Sequence, residues 1–351
     1  VPTLKSISYY NDHIVKGEII SESGYEYIAS YDGDTKVGWC TCPSSIFKSF
    51  KEDSCKHVRC LIGQIDETKM KSTKRFENFP CECTTIDLLM GNGFPLGSVT
   101  AIFGQSGNGK TLLSAQLALS CIKHLGKDVI VIETEGNREQ DYIELLSRFK
   151  DRFGLTVDDI KKHLHFYSVV GDFQSQAIIT LLKMVGYETT MDQSKGGDKY
   201  AVTFKDSKPG LKEEELQSSG LLIIDSLTKP IKTSIGSKTQ NLPSRAELVA
   251  RFFGRIYQLA YNYNLAVIIN HHASVNPVTP FGRDFGSPYG GDEIFYNSKY
   301  IVEIIDSDMA ARAKFGQTAR RVLLIKHPYC AVDKQLHAVN LKENWGFTDD
   351  V

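Results

Sequence analysis

The chain has 351 residues, of which 41% are hydrophobic and 24% charged, and its formal net charge is −1. Those values exclude a disordered chain and a bulk polycation, so nucleic-acid binding, if present, has to come from local patches. No apolar run approaches the ~20 residues of a membrane helix, and the length suits two domains. No charged-then-apolar leader is visible, which predicts a cytoplasmic protein. In such a reducing compartment eight cysteines, six of them clustered before residue 84, point to metal rather than to disulfides.

Residues 1–65 form the first unit. Tyr25–Ala29 and Lys36–Trp39 flank Asp32-Gly33-Asp34-Thr35 and read as a β-hairpin. Its second strand runs into Cys40-Thr41-Cys42-Pro43, and Cys55-Lys56-His57 opens a predicted helix over His57–Ile65. Cys40, Cys42, Cys55 and His57 make a Cys3His set, the donor set of a tetrahedral structural Zn2+ site. The spacing resembles the SWIM zinc finger, C-x-C…C-x-H, a module that binds DNA or protein. Cys60 and the Cys81-Glu82-Cys83 stretch lack a matching partner pair and read as buried thiols. Residues 66–80 are lysine-rich and read as a linker.

From residue 81 to 351 strand-like and helix-like runs alternate, which predicts a mostly parallel sheet with helices on both faces. The apolar run Val99–Phe103 leads into Gly104-Gln105-Ser106-Gly107-Asn108-Gly109-Lys110-Thr111, and a helical stretch follows. Strand, glycine loop and helix make this a phosphate-binding loop of the G-x-x-x-x-G-K-[ST] type. Its backbone N–H groups and the helix N-terminus suit an anion, with Lys110 reaching the β/γ-phosphates of ATP and Thr111 a Mg2+ ion. The next strand, Val129–Glu133, ends in Thr134-Glu135-Gly136. A carboxylate at that edge can orient and deprotonate a water, and Glu135 is preferred over Glu133, which strand alternation turns to the other face. Leu221–Asp225 is an apolar strand ending in an acid, so Asp225 is predicted to hold Mg2+. Between residues 187 and 220 lies a long polar connection with one strand-like run, Tyr200–Phe204, read as a hairpin insertion.

The lead-in to the loop, Asp87-Leu88-Leu89 followed by Gly91-Asn92-Gly93 and Gly97-Ser98, resembles the start of RecA/RadA-type recombinase cores. Thr134-Glu135-Gly136, Leu242-Pro243-Ser244-Arg245, the run Arg251–Asn270 and Pro288-Tyr289-Gly290-Gly291 extend the resemblance over residues 81–340. It implies a RecA-like ATPase core in which Glu135 is the base. His271, standing where the family has a glutamine after Asn270, would sense the γ-phosphate. The resemblance also implies single-stranded DNA on two loops, with Lys232, Lys238 and Arg245 on one and Arg283, between Phe281 and Phe285, on the other. The zinc module replaces the helical domain of typical RadA, and the family's Phe-x-x-Ala tether is absent from the linker. The chain therefore reads as a recombinase paralogue in DNA recombination or repair, with a RadA-type recombinase as a partner and homo-oligomers as an option. The alternatives are an ATP-binding adaptor with little catalysis and a KaiC-like signalling ATPase.

Overall fold

The computed structural model describes residues 2–10, 14–32, 37–40, 42, 55–65, 77–169, 176–193, 200–234, 242–274, 287–288, 292–307, 309, 312–313, 316–328, 336–342 and 344–349. These fall into two compact units, one within residues 1–76 and one from Glu77 onward. No helix among them is long and apolar enough to cross a membrane.

The first unit is an antiparallel sheet of β1 (Thr3–Tyr10), β2 (Ile14–Ile20), β3 (Glu26–Asp32) and β4 (Val37–Cys40), paired in that order. Helix α1 (Lys56–Ile62) lies on one face. Strand alternation turns Val15, Ile19, Ala29 and Tyr31 inward, and Val58 and Leu61 of α1 close that small core. A Cβ on Gly38 would stand 2.2 Å from Val58 Cγ1, so a bare backbone there lets the helix approach. The sequence predicts only the β3–β4 hairpin. Strands β1 and β2 precede it, and β1 goes unread because Leu4 and Ile7 are only half-buried and its apolar signal is weak.

The second unit opens with a short pair, β5 (Asn78–Phe79) and β6 (Phe94–Pro95), around α2 (Thr84–Leu89). Then come β7 (Ser98–Gly104), α3 (Lys110–Leu125), β8 (Asp128–Glu133), α4 (Glu139–Phe153), α5 (Val157–His163), β9 (Leu164–Ser168) and α6 (Gln176–Val185). A hairpin of β10 (Tyr187–Gln193) and β11 (Tyr200–Asp206) follows, then α7 (Glu213–Ser218), β12 (Ser219–Asp225), α8 (Thr228–Ser234) and α9 (Leu242–Tyr263). The chain continues through β13 (Ala266–Ser274), β14 (Ser287–Pro288), α10 (Asp292–Asn297), β15 (Tyr300–Asp306), β16 (Ala319–Lys326), β17 (His337–Lys342) and β18 (Gly346–Thr348).

The main sheet runs β18-β17-β16-β15-β7-β13-β12-β8-β9, with β14 paired to the end of β13. It is parallel from β15 to β9 and antiparallel from β15 to β18. Strands β7 and β12 are buried along their whole length, which is why they read as continuous apolar runs. One face packs on α3, α4 and α5 through Leu113, Leu117, Leu146 and Ile160. The other packs on α6, α8 and α9 through Leu181, Ile231, Phe252 and Ile256. The β10–β11 hairpin fills the polar connection anticipated after residue 187 and docks on α9. Arg251 lies 4.7 Å over the Phe204 ring and Arg255 4.8 Å over Tyr187, cation–π contacts that tie an insertion to a helix. In a parallel sheet of this kind ligands bind beyond the carboxyl ends of the strands. The ends of β7, β12, β13 and β8 meet there.

Candidate nucleotide site and metal centre

The loop after β7 is fastened to the neighbouring strand. Asn108 Nδ2 donates to the Ile304 carbonyl of β15 at 2.9 Å. A Cβ on Gly104 would stand 2.3 Å from the same carbonyl oxygen, and Gly109 caps α3 with a left-handed φ of 100°. Gly104→Ala is therefore expected to cost about 1–3 kcal/mol of stability, read as a lower urea midpoint. An unchanged midpoint would show that the loop does not need this approach.

Lys110 is buried, and its ammonium donates to the Gly104 carbonyl at 3.0 Å and the Gln105 carbonyl at 2.9 Å. Desolvation lowers its pKa, against the raising effect of the Asp225 and Glu135 charges. Thr111 Oγ1 donates to Asp225 Oδ2 at 2.7 Å. Desolvation raises the Asp225 pKa, with the Thr111 hydrogen bond opposing. One hydroxyl and one carboxylate side by side are hard oxygen donors, and the nearby Glu133 and Glu135 charges add to the negative potential. That donor set fits Mg2+.

Three strand ends are stitched together behind this pair. The Thr134 amide donates to the Asp225 carbonyl at 2.9 Å. Thr134 Oγ1 accepts from the Ser226 amide at 3.0 Å and donates to the Ser226 carbonyl at 2.7 Å. Glu133 is buried, and its carboxylate accepts from the amides of Glu135 (2.8 Å) and Gly136 (2.9 Å) and from Asn137 Nδ2 (2.9 Å). It thereby anchors the turn that carries Glu135. Glu135 Oε1 accepts from Ser226 Oγ at 2.9 Å and pairs with His272 Nε2 at 2.9 Å. The His272 hydrogen bond is the main reason the Glu135 pKa is pushed down to about 2.

His271, the expected γ-phosphate sensor, lies within β13. On β13, Ala266 and Ile268 belong to the α3 face, and Val267 and Ile269 to the opposite face. Alternation therefore turns Asn270 and His272 toward α3, and His271 away. Asn270 accordingly meets Ser114 Oγ of α3, with Nδ2 at 3.0 Å. His271 is fully buried, and neither ring nitrogen has a hydrogen-bond partner among the described residues. Burial pushes its pKa down to about 3. Ser226, Lys229 and His272, which no sequence motif singles out, gather around Glu135. Lys229 donates to the Glu135 backbone carbonyl at 2.7 Å. Strand alternation counted from Asn270 is the signal that would have found His272.

Lys238 and Arg283, and the side chains of Lys232 and Arg245, lie outside the described residues.

In the first unit Cys40, Cys42, Cys55 and His57 are all buried, and each offers a ligand atom within 4.8 Å of the others. His57 Nδ1 lies 3.7 Å from Cys40 Sγ and 4.0 Å from Cys55 Sγ. A tetrahedral zinc, with Zn–S of about 2.3 Å and Zn–N of about 2.0 Å, needs ligand separations of roughly 3.5–3.8 Å. The Cys42 amide donates to Cys40 Sγ and the Val58 amide to Cys55 Sγ, bonds that favour thiolates. The cluster fits Zn2+. Cys81 and Cys83 are buried in the second unit, where desolvation raises their thiol pKa values, and they join no such group among the described residues.

A family model described as KaiC ATPase matches residues 80–184, the stretch from the lead-in of the phosphate loop to α6. The chain is 25% identical over 261 residues to the DNA repair and recombination protein RadB of Methanococcoides burtonii, covering 74% of this chain and 92% of that one. It is 24% identical over 204 residues to the DNA repair and recombination protein RadA of Aeropyrum pernix, covering 56% of this chain and 53% of that protein. Together these matches support a RecA/RadA-family paralogue. Its second unit is the RecA-like ATPase fold. Within that fold the phosphate loop, the Thr111–Asp225 pair and Glu135 occupy one edge of the sheet.

Proposed function

We propose that this RecA/RadA-family protein is an Mg2+-dependent ATPase of DNA recombination or repair that binds single-stranded DNA. The observation that supports it is the convergence of Lys110, Thr111, Asp225 and Glu135 at the carboxyl ends of β7, β12 and β8. Lys110 and the N–H groups of Gly104–Thr111 bind and orient the triphosphate. Thr111 and Asp225 hold Mg2+, which when bound offsets charge on the phosphates. Glu135 takes a proton from the attacking water. The names of the RadB and RadA relatives supply the recombination context. Lys232, Lys238, Arg245 and Arg283 are the proposed DNA contacts, and Cys40, Cys42, Cys55 and His57 the proposed zinc ligands. The zinc unit then serves to dock DNA or a partner such as a RadA-type recombinase or a second copy.

The decisive experiment measures ATP turnover with and without single-stranded DNA, together with DNA binding between about 50 and 200 mM salt. DNA-stimulated turnover and binding that weakens with salt are expected. Turnover indifferent to DNA, with no salt-sensitive binding, would remove the DNA half of the proposal. A second reading, an ATP-binding adaptor, draws on the low basicity of Glu135 beside His272. It would be favoured by tight ATP binding with turnover unaltered by Glu135→Gln.

A further inference from the structure

We infer that His272 is a positioning residue for hydrolysis: its Nε2–H and the Ser226 hydroxyl fix one oxygen of Glu135, so that the other oxygen faces the attacking water. The inference builds on the reading of Glu135 as the base.

Both donors reach the same atom. Ser226 Oγ and His272 Nε2 each lie 2.9 Å from Glu135 Oε1, and Oε2 has no hydrogen-bond partner among the described residues. A carboxylate only accepts, so the proton of this contact sits on Nε2 of His272. Each donor stands on fixed backbone. The His272 amide donates to Thr228 Oγ1 at 2.9 Å, and Thr228 is buried. The Leu227 amide donates to the Asn270 carbonyl at 3.1 Å, tying the segment after β12 to the end of β13. The Ser226 amide is held by Thr134. Glu135 itself is fixed through its backbone by Glu133 and Lys229.

The carboxylate is therefore located by donors from two strand ends and by its own turn on a third. In the reaction, the water oxygen bonds to the γ-phosphorus while the bond from that phosphorus to the β–γ bridging oxygen breaks. The water proton passes to Glu135 Oε2, and the products are ADP and inorganic phosphate. A rotation of the carboxylate would present Oε2 elsewhere, and misplacement of about 1 Å can cost on the order of 10²-fold in rate. This assigns His272 to orienting the base, a task separate from binding the nucleotide.

The test compares His272→Gln, whose amide can still donate at a similar reach, with His272→Leu and His272→Ala, which cannot. The His272 side chain is 34% exposed, so these changes open no core cavity. For Leu and Ala, kcat is expected to fall about 10–100-fold, with the KM for ATP within about threefold of the parent. For Gln, kcat is expected to return to within about fivefold. Glu135→Gln run alongside separates the two layers of the argument. If Glu135→Gln abolishes turnover while His272→Leu turns over normally, the inference falls and the base stands. If Glu135→Gln is itself indifferent, the reading of the base falls first. A rise in KM at unchanged kcat for the Leu and Ala proteins would make His272 a nucleotide contact and overturn its positioning role.

Discussion

Lys110→Ala is expected to lower ATP turnover by about 10²–10³-fold and to weaken ATP binding. The ammonium has three donors, two of which are spent on the Gly104 and Gln105 carbonyls. That leaves one for a phosphate and fixes its direction. The group is buried, so its charge acts on a ligand with less screening than a surface lysine would. Desolvation lowers its pKa, and the Asp225 and Glu135 charges act in the opposite direction. Lys110→Arg should not restore function, because a planar guanidinium cannot follow the loop carbonyls as a compact ammonium does. The fold should survive either change, since the cost of burying the ammonium offsets much of what its contacts return. Phosphate release and calorimetric ATP titration measure the two effects. Turnover of Lys110→Ala within about threefold of the parent would take Lys110 out of phosphate handling.

Stripping metal from the first unit is expected to unfold it. Apart from the cysteines, its core holds Val15, Ile19, Ala29, Tyr31, Val58 and Leu61, a small apolar store for a four-stranded sheet and one short helix. Structural zinc sites contribute about 10–16 kcal/mol in small domains near neutral pH, well above the stability so small a core supplies. Cys40 ends β4 and Cys55 caps α1, so one ion would join sheet to helix. The protein as isolated should carry about one zinc per chain by elemental analysis. Chelation, or Cys40→Ser with Cys42→Ser, should open residues 1–65 to protease while residues 81–351 stay resistant and bind ATP. A metal-free protein with an equally resistant first unit would refute the assignment.

Much of this molecule is local in sequence. The phosphate loop is eight consecutive residues, and the run ending in Asp225 is apolar because β12 is buried on both faces. The C-x-C and C-x-H spacings mark the cysteine–histidine group before any fold is known, and the structure brings its four ligand atoms together. The polar connection after residue 187 announces a hairpin through its one strand-like run. Tertiary structure decides what depends on a face or on a distant neighbour. Glu133 and Glu135 are both acids at one strand end. Burial makes the first an anchor for three N–H donors, while the second meets residues 226 and 272, far along the chain. His271 and His272 are adjacent in sequence, yet the two-residue period of a strand sends one into the core and the other to Glu135. The need for glycine at 104 is set by the Ile304 carbonyl, 200 residues away. Sequence by itself determined the nucleotide loop, the acid-ended strands and the metal-ligand spacing, because each is a short-range pattern. The partners of Glu135, the direction each histidine faces and the anchoring of the loop were decided only when parallel pairing brought four separate strand ends to one edge.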